Sequence, residues 1–175
     1  LKDDEVEWSN VVDRFHKICN HALTNKTKIL IDAEEYEVQK AIDELALEMM
    51  KTYNKEYVIV YNTIQLYRWD RIDYLKKLFK DYSKSKFIFG FKLVRGAYME
   101  KERLLAINGN YKSPICSSKN ETDLNFNKAI DLMFKHIKKA DLFIATHNQF
   151  SNYKVIDLMK KNEIKNNSDK IWFGQ

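Results

Sequence analysis

A lysine set in an apolar strand is the first residue of this chain with chemistry to offer. Lys92 stands between Phe91 and Leu93 in the stretch FKLVRGAY, where an ammonium is costly to bury without an acceptor. It therefore points to an anionic or acceptor-rich ligand at the end of that strand. Period-two alternation puts Lys92, Val94 and Gly96 on one face, with Leu93 and Arg95 on the other. Gly96 would let a flat ligand approach the backbone closely. Arg95, aimed toward the surrounding helices, is expected to form a structural ion pair with Glu100 or Glu102. Asp32 follows the apolar run KILI and has two readings. It is a helix N-cap completing a capping box with Glu35, or a carboxylate at a strand end that pairs with a cation. Asn62, Thr63 and Gln65 follow YVIVY and offer amides and a hydroxyl suited to the edge of a heterocycle; an Asx-turn and a helix cap would use them equally well. Thr146, His147 and Asn148 follow the apolar run LFIA, and a histidine there is as often structural as ligand-binding. Gln175 stands just past the last strand-like run, at its carboxyl end.

The elements that must hold these groups alternate along the chain. Strand-like runs are Lys28–Asp32, Tyr57–Tyr61, Phe87–Val94, Leu142–Ala145 and Lys170–Phe173. Helical spacing of apolar residues covers 34–53, 63–82, 98–107, 123–139 and 148–161. A leading helix fills the first 23 residues, and residues 1–26 stand apart from a unit over 27–175. Strands separated by helices imply βαβ units and a parallel sheet. Strand ends near Asp32, Asn62, Val94, Thr146 and Gly174 are 30, 32, 52 and 28 residues apart. Three of those gaps suit one unit of a (β/α)8 TIM-type barrel, for which eight units take about 250 residues. The long gap holds an excursion over 108–121 containing Gly109 and the single proline, Pro114. A doubly wound sheet would announce itself by GxGxxG after its first strand, and the four glycines form no such pattern. The expectation is an α/β barrel of which this chain covers about five βα units, truncated at both ends. Function then gathers at the carboxyl ends of the strands.

Composition narrows the partners. Thirty basic and 25 acidic residues leave a formal charge of +5, but the lysines are scattered rather than striped, and no nucleic-acid motif is present. Cys19 and Cys116 are too far apart for a CxxC site, which argues against a disulfide framework or a zinc site. No apolar run reaches the 18 or more residues of a membrane helix. The tryptophans Trp8, Trp69 and Trp172 are most simply packing surface.

The motifs combine. IDAEEYE, VYNTIQLY, KLVRGAYMEKER, ATHN and WFGQ occur in one chain in this order, and together they strongly resemble the signature of the proline dehydrogenase family. The excursion NYKSPICSSKNETD resembles a segment of the family's mitochondrial, eukaryotic branch. The resemblance implies a barrel that holds FAD without a Rossmann domain. It implies that Lys92 lies near the flavin's reactive nitrogen and that Val94, Gly96 and Ala97 line the ring. Asn62 would hydrogen-bond the ring edge, and Thr146, His147 and Asn148 would touch the ribityl and phosphate portion. Asp32 and Tyr98 would face the substrate, with Asp32 and Lys92 as the catalytic pair. The implied reaction oxidises L-proline to 1-pyrroline-5-carboxylate, the first step of proline catabolism, with electrons passing to a quinone. A mitochondrial location, on the matrix side or peripheral to the inner membrane, follows from the same resemblance. Ile64 departs from the family, which usually has tyrosine there, so that contact with the flavin region is expected to change. The family places the paired arginines that grip the substrate carboxylate in a later segment than this sequence covers, which leaves hydroxyproline open as substrate. Two other classes stay in view: a metal-dependent lyase or hydrolase built on Asp32 and His147, and a noncatalytic barrel serving as a binding scaffold.

Overall fold

The structure, a computed structural model, describes residues 2–174; Gln175 lies outside them. Five parallel strands lie side by side in chain order: β1 (Ile29–Ile31), β2 (Val60–Gln65), β3 (Phe89–Val94), β4 (Ala140–Ala145) and β5 (Ile171–Gly174). The helices are α1 (Lys2–Thr24) before β1, α2 (Tyr36–Tyr53), α3 (Arg71–Asp81), the pair α4 (Met99–Asn108) and α5 (Lys119–Lys135), and α6 (Gln149–Lys161). Chain order without reversal is what a barrel needs, whereas a doubly wound sheet reverses at a switch point. One side chain measures the curl. Lys28, just before β1, holds its Nζ 5.6 Å from the Tyr61 ring on β2 and 5.5 Å from the Trp172 ring on β5. In a flat sheet four strand spacings would separate β1 and β5 by about 19 Å.

The pleat sorts residues onto two faces. Phe89, Phe91 and Leu93 of β3, with Leu142 and Ile144 of β4, are fully buried toward the helices, where Phe79 of α3 meets Phe91 edge-on at 6.0 Å between ring centroids. Thr63 lies opposite Lys92, and Asn62 opposite Phe91. The concave face therefore carries Thr63 and Gln65, Lys92 and Val94, and Phe143 and Ala145. The helix-facing layer carries Asn62 and Ile64.

Strand β2 differs from the expectation. It begins at Val60 and runs on through Gln65, residues read from sequence as the start of a helix, and α3 begins only at Arg71. Every residue of β2 is buried, so its polar side chains need partners to stay in a strand. Asn62 Nδ2 finds Asp43 Oδ1 of α2 at 2.9 Å, and Gln65 Nε2 finds the Glu34 carbonyl at 2.7 Å. Asp43 also accepts from Arg71 Nη1 at 2.7 Å, and Arg71 continues to Asp70, which Arg68 shares. This charged chain ties α2, β2 and α3 together. Burial pushes the Asp70 carboxyl up, yet hydrogen bonds and charge from Arg71 and Arg68 outweigh it and hold the group at about 2.

Asn54, which is fully buried, joins α2 to β2: its Oδ1 accepts from Ile59 N and Val60 N at 2.9 Å each, and its Nδ2 donates to the Val60 carbonyl at 2.8 Å. The excursion after α4 is folded onto the turn that follows β2. Arg68 and Ile115 form an antiparallel bridge, Cys116 N donates to the Tyr67 carbonyl at 2.7 Å, and Trp69 Nε1 donates to the Ser113 carbonyl at 2.9 Å.

Candidate functional site

A cavity of about 740 Å³ opens at the carboxyl ends of the strands, lined among others by Asp32, Thr63, Gln65, Lys92, Val94 and Gly96. Ala97, Tyr98, Thr146, His147 and Asn148 complete most of the remaining wall. Of the candidate ligand-contacting residues within the described part of the chain, the fold brings all but Asn62 to this one space.

Lys92 reaches it as the fourth residue of β3, and its Nζ donates to Asp32 Oδ1 at 2.6 Å. Thr63 Oγ1, opposite Lys92 on β2, donates to the same oxygen at 3.3 Å. Asp32 thus acts as the partner of a cation and not as a cap. The residue at the N-cap of α2 is Glu35, which makes no capping bond with its side chain. Tyr98 Oη donates to Glu34 Oε2 at 2.7 Å. That hydrogen bond, more than the neighbouring negative charge, pushes the phenol above its ordinary range. Gln65 Oε1 is buried without a hydrogen-bond partner at the cavity wall.

Three expectations need correction. Asn62 is 1% exposed and points into the helix layer, where Asp43 holds it. It is in no position to meet the edge of a ligand, and Thr63 and Gln65 present that strand's polar groups to the cavity instead. The parity of β2 decides this: Asn62 pairs with the helix-facing Phe91, while the strand runs on to Gln65, four residues past the run read from sequence. Ile64 is fully buried in the same outer layer, so its departure from the family's tyrosine is a packing change. Gly96 is required for a different reason than close ligand approach. Its φ is +132°, and a Cβ there would come within 2.6 Å of the Tyr67 ring. A protein aromatic, and not a ligand, occupies that side of the glycine. Burial pushes the Tyr67 phenol up to about 12.

Arg95 does turn toward the helices as its parity demands, but its carboxylate is Asp123 of α5, at 2.7 Å from Nε, in place of Glu100 or Glu102. Its Nη1 donates to Thr146 Oγ1 at 2.6 Å, and the guanidinium lies 4.5 Å from the Phe126 ring. Burial works to raise the Asp123 carboxyl; hydrogen bonds and charge from Lys119 and Arg95 prevail and hold it below the usual carboxylate range. Thr146 Oγ1 also accepts from Asn148 N at 3.1 Å, and Asn148 Oδ1 caps α6 by accepting from Ser151 N at 2.9 Å. Those two side chains shape the rim while bonded within the protein, whereas His147 is exposed at the cavity. Glu34 and Lys119, which also line the cavity, were not legible from sequence, since both sit in charged helix-start segments that read as solvated surface.

Parallel strands in chain order, curled around a cavity whose polar groups stand at their carboxyl ends, define part of a barrel of the (β/α)8 type with that cavity at its rim. The chain belongs to the proline dehydrogenase family: the family model described as "Proline dehydrogenase" matches residues 2–175. It is 31% identical over 168 residues to the carbapenem antibiotics biosynthesis protein CarD of Pectobacterium carotovorum subsp. carotovorum, covering 96% of this chain and 42% of that protein. It is 34% identical over 175 residues to proline dehydrogenase 1, mitochondrial, of Dictyostelium discoideum, covering 97% of this chain and 30% of the relative. The chain thus spans less than half the length of either relative. The crystal structure of proline utilization A (PutA) from Bdellovibrio bacteriovorus superposes with a TM-score of 0.86 at 22% identity, covering 97% of this chain and 18% of that one. That likeness shows the barrel fold.

Proposed function

We propose that the protein to which this chain belongs oxidises L-proline to 1-pyrroline-5-carboxylate, using FAD and passing electrons to a quinone. The observation that carries the reading is the convergence of Lys92, Asp32 and Tyr98 on one cavity in a chain matched end to end by the proline dehydrogenase family.

The residues present suit the cofactor. Val94, Ala97 and Ala145 offer small apolar surface for a flat ring, with Lys92 beside them. The unpartnered Gln65 Oε1 is an acceptor of the kind a ring N–H satisfies, because a buried polar atom is costly when left alone. Arg95 and Lys119 also line the cavity, sharing Asp123 between them, and leave one net positive charge suited to a phosphate. When bound, the flavin would accept the hydride that leaves the ring carbon beside the proline nitrogen. Lys92 contributes a fixed positive charge near the position where electrons arrive, held on station by Asp32. Asp32 spends Oδ1 on Lys92 and Thr63, which leaves Oδ2 with capacity for a proton from the substrate's ring nitrogen. Tyr98, steadied by Glu34, packs beside the ring of the substrate. Thr63 fixes the Asp32 rotamer from the neighbouring strand.

The Dictyostelium relative is mitochondrial by name, and the reading puts this protein in the same compartment, peripheral to the inner membrane or on its matrix side. Among the described residues no helix is long and apolar enough to cross a membrane. A metal-centred barrel built on Asp32 and His147 has less support, since among the described residues no three His, Cys, Asp or Glu side chains gather. The test is spectroscopic. Purified full-length protein is expected to show flavin absorption that bleaches anaerobically on adding L-proline. Protein without flavin bands, or with bands that L-proline leaves unchanged, would defeat the proposal.

A further inference from the structure

Helix α2 begins without a cap of its own. Its N-cap residue, Glu35, makes no side-chain bond to the helix backbone, although the first N–H groups of a helix require acceptors. The acceptor comes instead from another helix: Glu102 Oε1 of α4 receives Tyr36 N at 2.7 Å, across 66 residues of sequence. Glu102 is 1% exposed, and a buried carboxylate is tolerated only where it is paired. At this spot it gains a charge-assisted hydrogen bond and the positive end of the α2 dipole together.

The contact does not stand alone. Lys101, the residue before it, pairs with Glu35, and Tyr98, at the start of α4, donates to Glu34 at 2.7 Å. Gln65 Nε2 holds the Glu34 carbonyl from below at 2.7 Å, and Arg68 lies 4.6 Å over the Tyr36 ring. Every one of these ties ends on residues 34–36, directly after Asp32, whose own side chain is 64% exposed. Of the three side chains that α4 and its entry turn send across this seam, Tyr98, Lys101 and Glu102, only Glu102 is out of reach of water. It is also the only one that takes hold of the backbone.

We infer that Glu102 is a positioning residue: by capping α2 from across the seam it fixes the segment Asp32–Glu35 at the cavity rim. It sets where Asp32 and Glu34 meet Lys92, Tyr98 and the substrate. The role in turnover rests on the proline-oxidising reading; the role in fixing the segment does not. It acts through the loop and touches no substrate, so its removal loosens binding more than it slows the step after binding.

Two variants of the full-length protein test this, E102A and E102Q, read by hydrogen–deuterium exchange at residues 33–37 and by steady-state kinetics with L-proline. Loss of a charged hydrogen bond is worth on the order of a tenfold change. In E102A, exchange at the Tyr36 amide is expected to speed up about tenfold. KM is expected to rise by a similar factor while kcat stays within about threefold. Glutamine keeps an acceptor oxygen, so E102Q should restore most of the protection and most of the KM. If E102A does not fold, E102D keeps the charge but withdraws the oxygen, and carries the same expectation as E102A. Unchanged protection in E102A, or glutamine as damaging as alanine, would overturn the inference. So would a fall in kcat with KM unmoved. A wild-type protein inert toward L-proline would overturn the proposed reaction instead, and the exchange measurement would then decide the role of Glu102.

Discussion

Replacing Lys92 by methionine removes the cation from the cavity while keeping nearly the same length of side chain. The Lys92–Asp32 pair is short, 2.6 Å, but Asp32 is 64% exposed and Lys92 19%, so water screens much of the attraction. An ion pair open to solvent on one side contributes about 1 kcal/mol or less to stability, and the methionine stem still packs between Thr63 and Phe143. The K92M protein is therefore expected to fold with little loss. Catalysis should respond differently, because a charge fixed where electrons arrive is worth roughly 3 kcal/mol, about 10²-fold in rate. Stopped-flow bleaching of the flavin under anaerobic L-proline reads that rate directly, and thermal unfolding of the same sample reads stability. Lys92→Arg, which keeps the charge, should recover a large part of the rate. K92M that bleaches within about twofold of wild type would refute the assigned role. A K92M protein that loses its rate only because it unfolds would refute it equally.

Three further outcomes follow from the fold. Asn54→Ala should cost about 2–4 kcal/mol in denaturant unfolding, since it strands two backbone N–H groups and a carbonyl in a fully buried corner. Gly96→Ala should cost about 1–3 kcal/mol and shift the Tyr98 turn, because φ is +132° and the Tyr67 ring stands where the methyl would go; an unaltered melting temperature would speak against that packing. Asp70 titrates at about 2 in the folded protein, below its unfolded value of about 3.8, so its contribution is complete above about pH 4 and fades as pH falls toward 2. The wild type should accordingly lose about 2 kcal/mol more than Asp70→Asn across that acid window, and parallel pH profiles would exclude the assignment.

Strand β3 was legible because its signals agree. Alternating Phe89, Phe91 and Leu93 packs against helices, and a lone lysine on the other face has to find an acceptor, so parity alone sent Lys92 and Val94 inward and Arg95 outward. Asp32 was ambiguous for a local reason. A carboxylate before a helical run looks the same whether it caps that run or faces a cation 60 residues away, and only the β2–β3 register brings Lys92 within reach. Asn62 failed because β2 is buried on both faces and so has no alternation to read. The polar run NTIQ suggested a helix start, when each of its side chains is accommodated by a partner on a distant element. Arg95 was aimed correctly but paired wrongly: Glu100 and Glu102 are near in sequence, while Asp123 comes near only when α5 packs beside β3. Glu102 is, with Glu100, one of the two candidates that sequence proximity offers, and nothing local shows that it instead serves a helix begun 66 residues earlier.

Charged and aromatic side chains gather at the amino-terminal end of the curled sheet. Lys28 reaches over the Tyr61 and Trp172 rings, and Lys170 Nζ bonds Asp141 Oδ1 at 3.2 Å in the same hollow. Over these five strands the hollow opens toward the carboxyl ends. On the proposed reaction, the amino acid that gives electrons and the molecule that takes them away would enter from that side in turn. Such alternation gives parallel double-reciprocal lines when one reactant is varied at several fixed levels of the other.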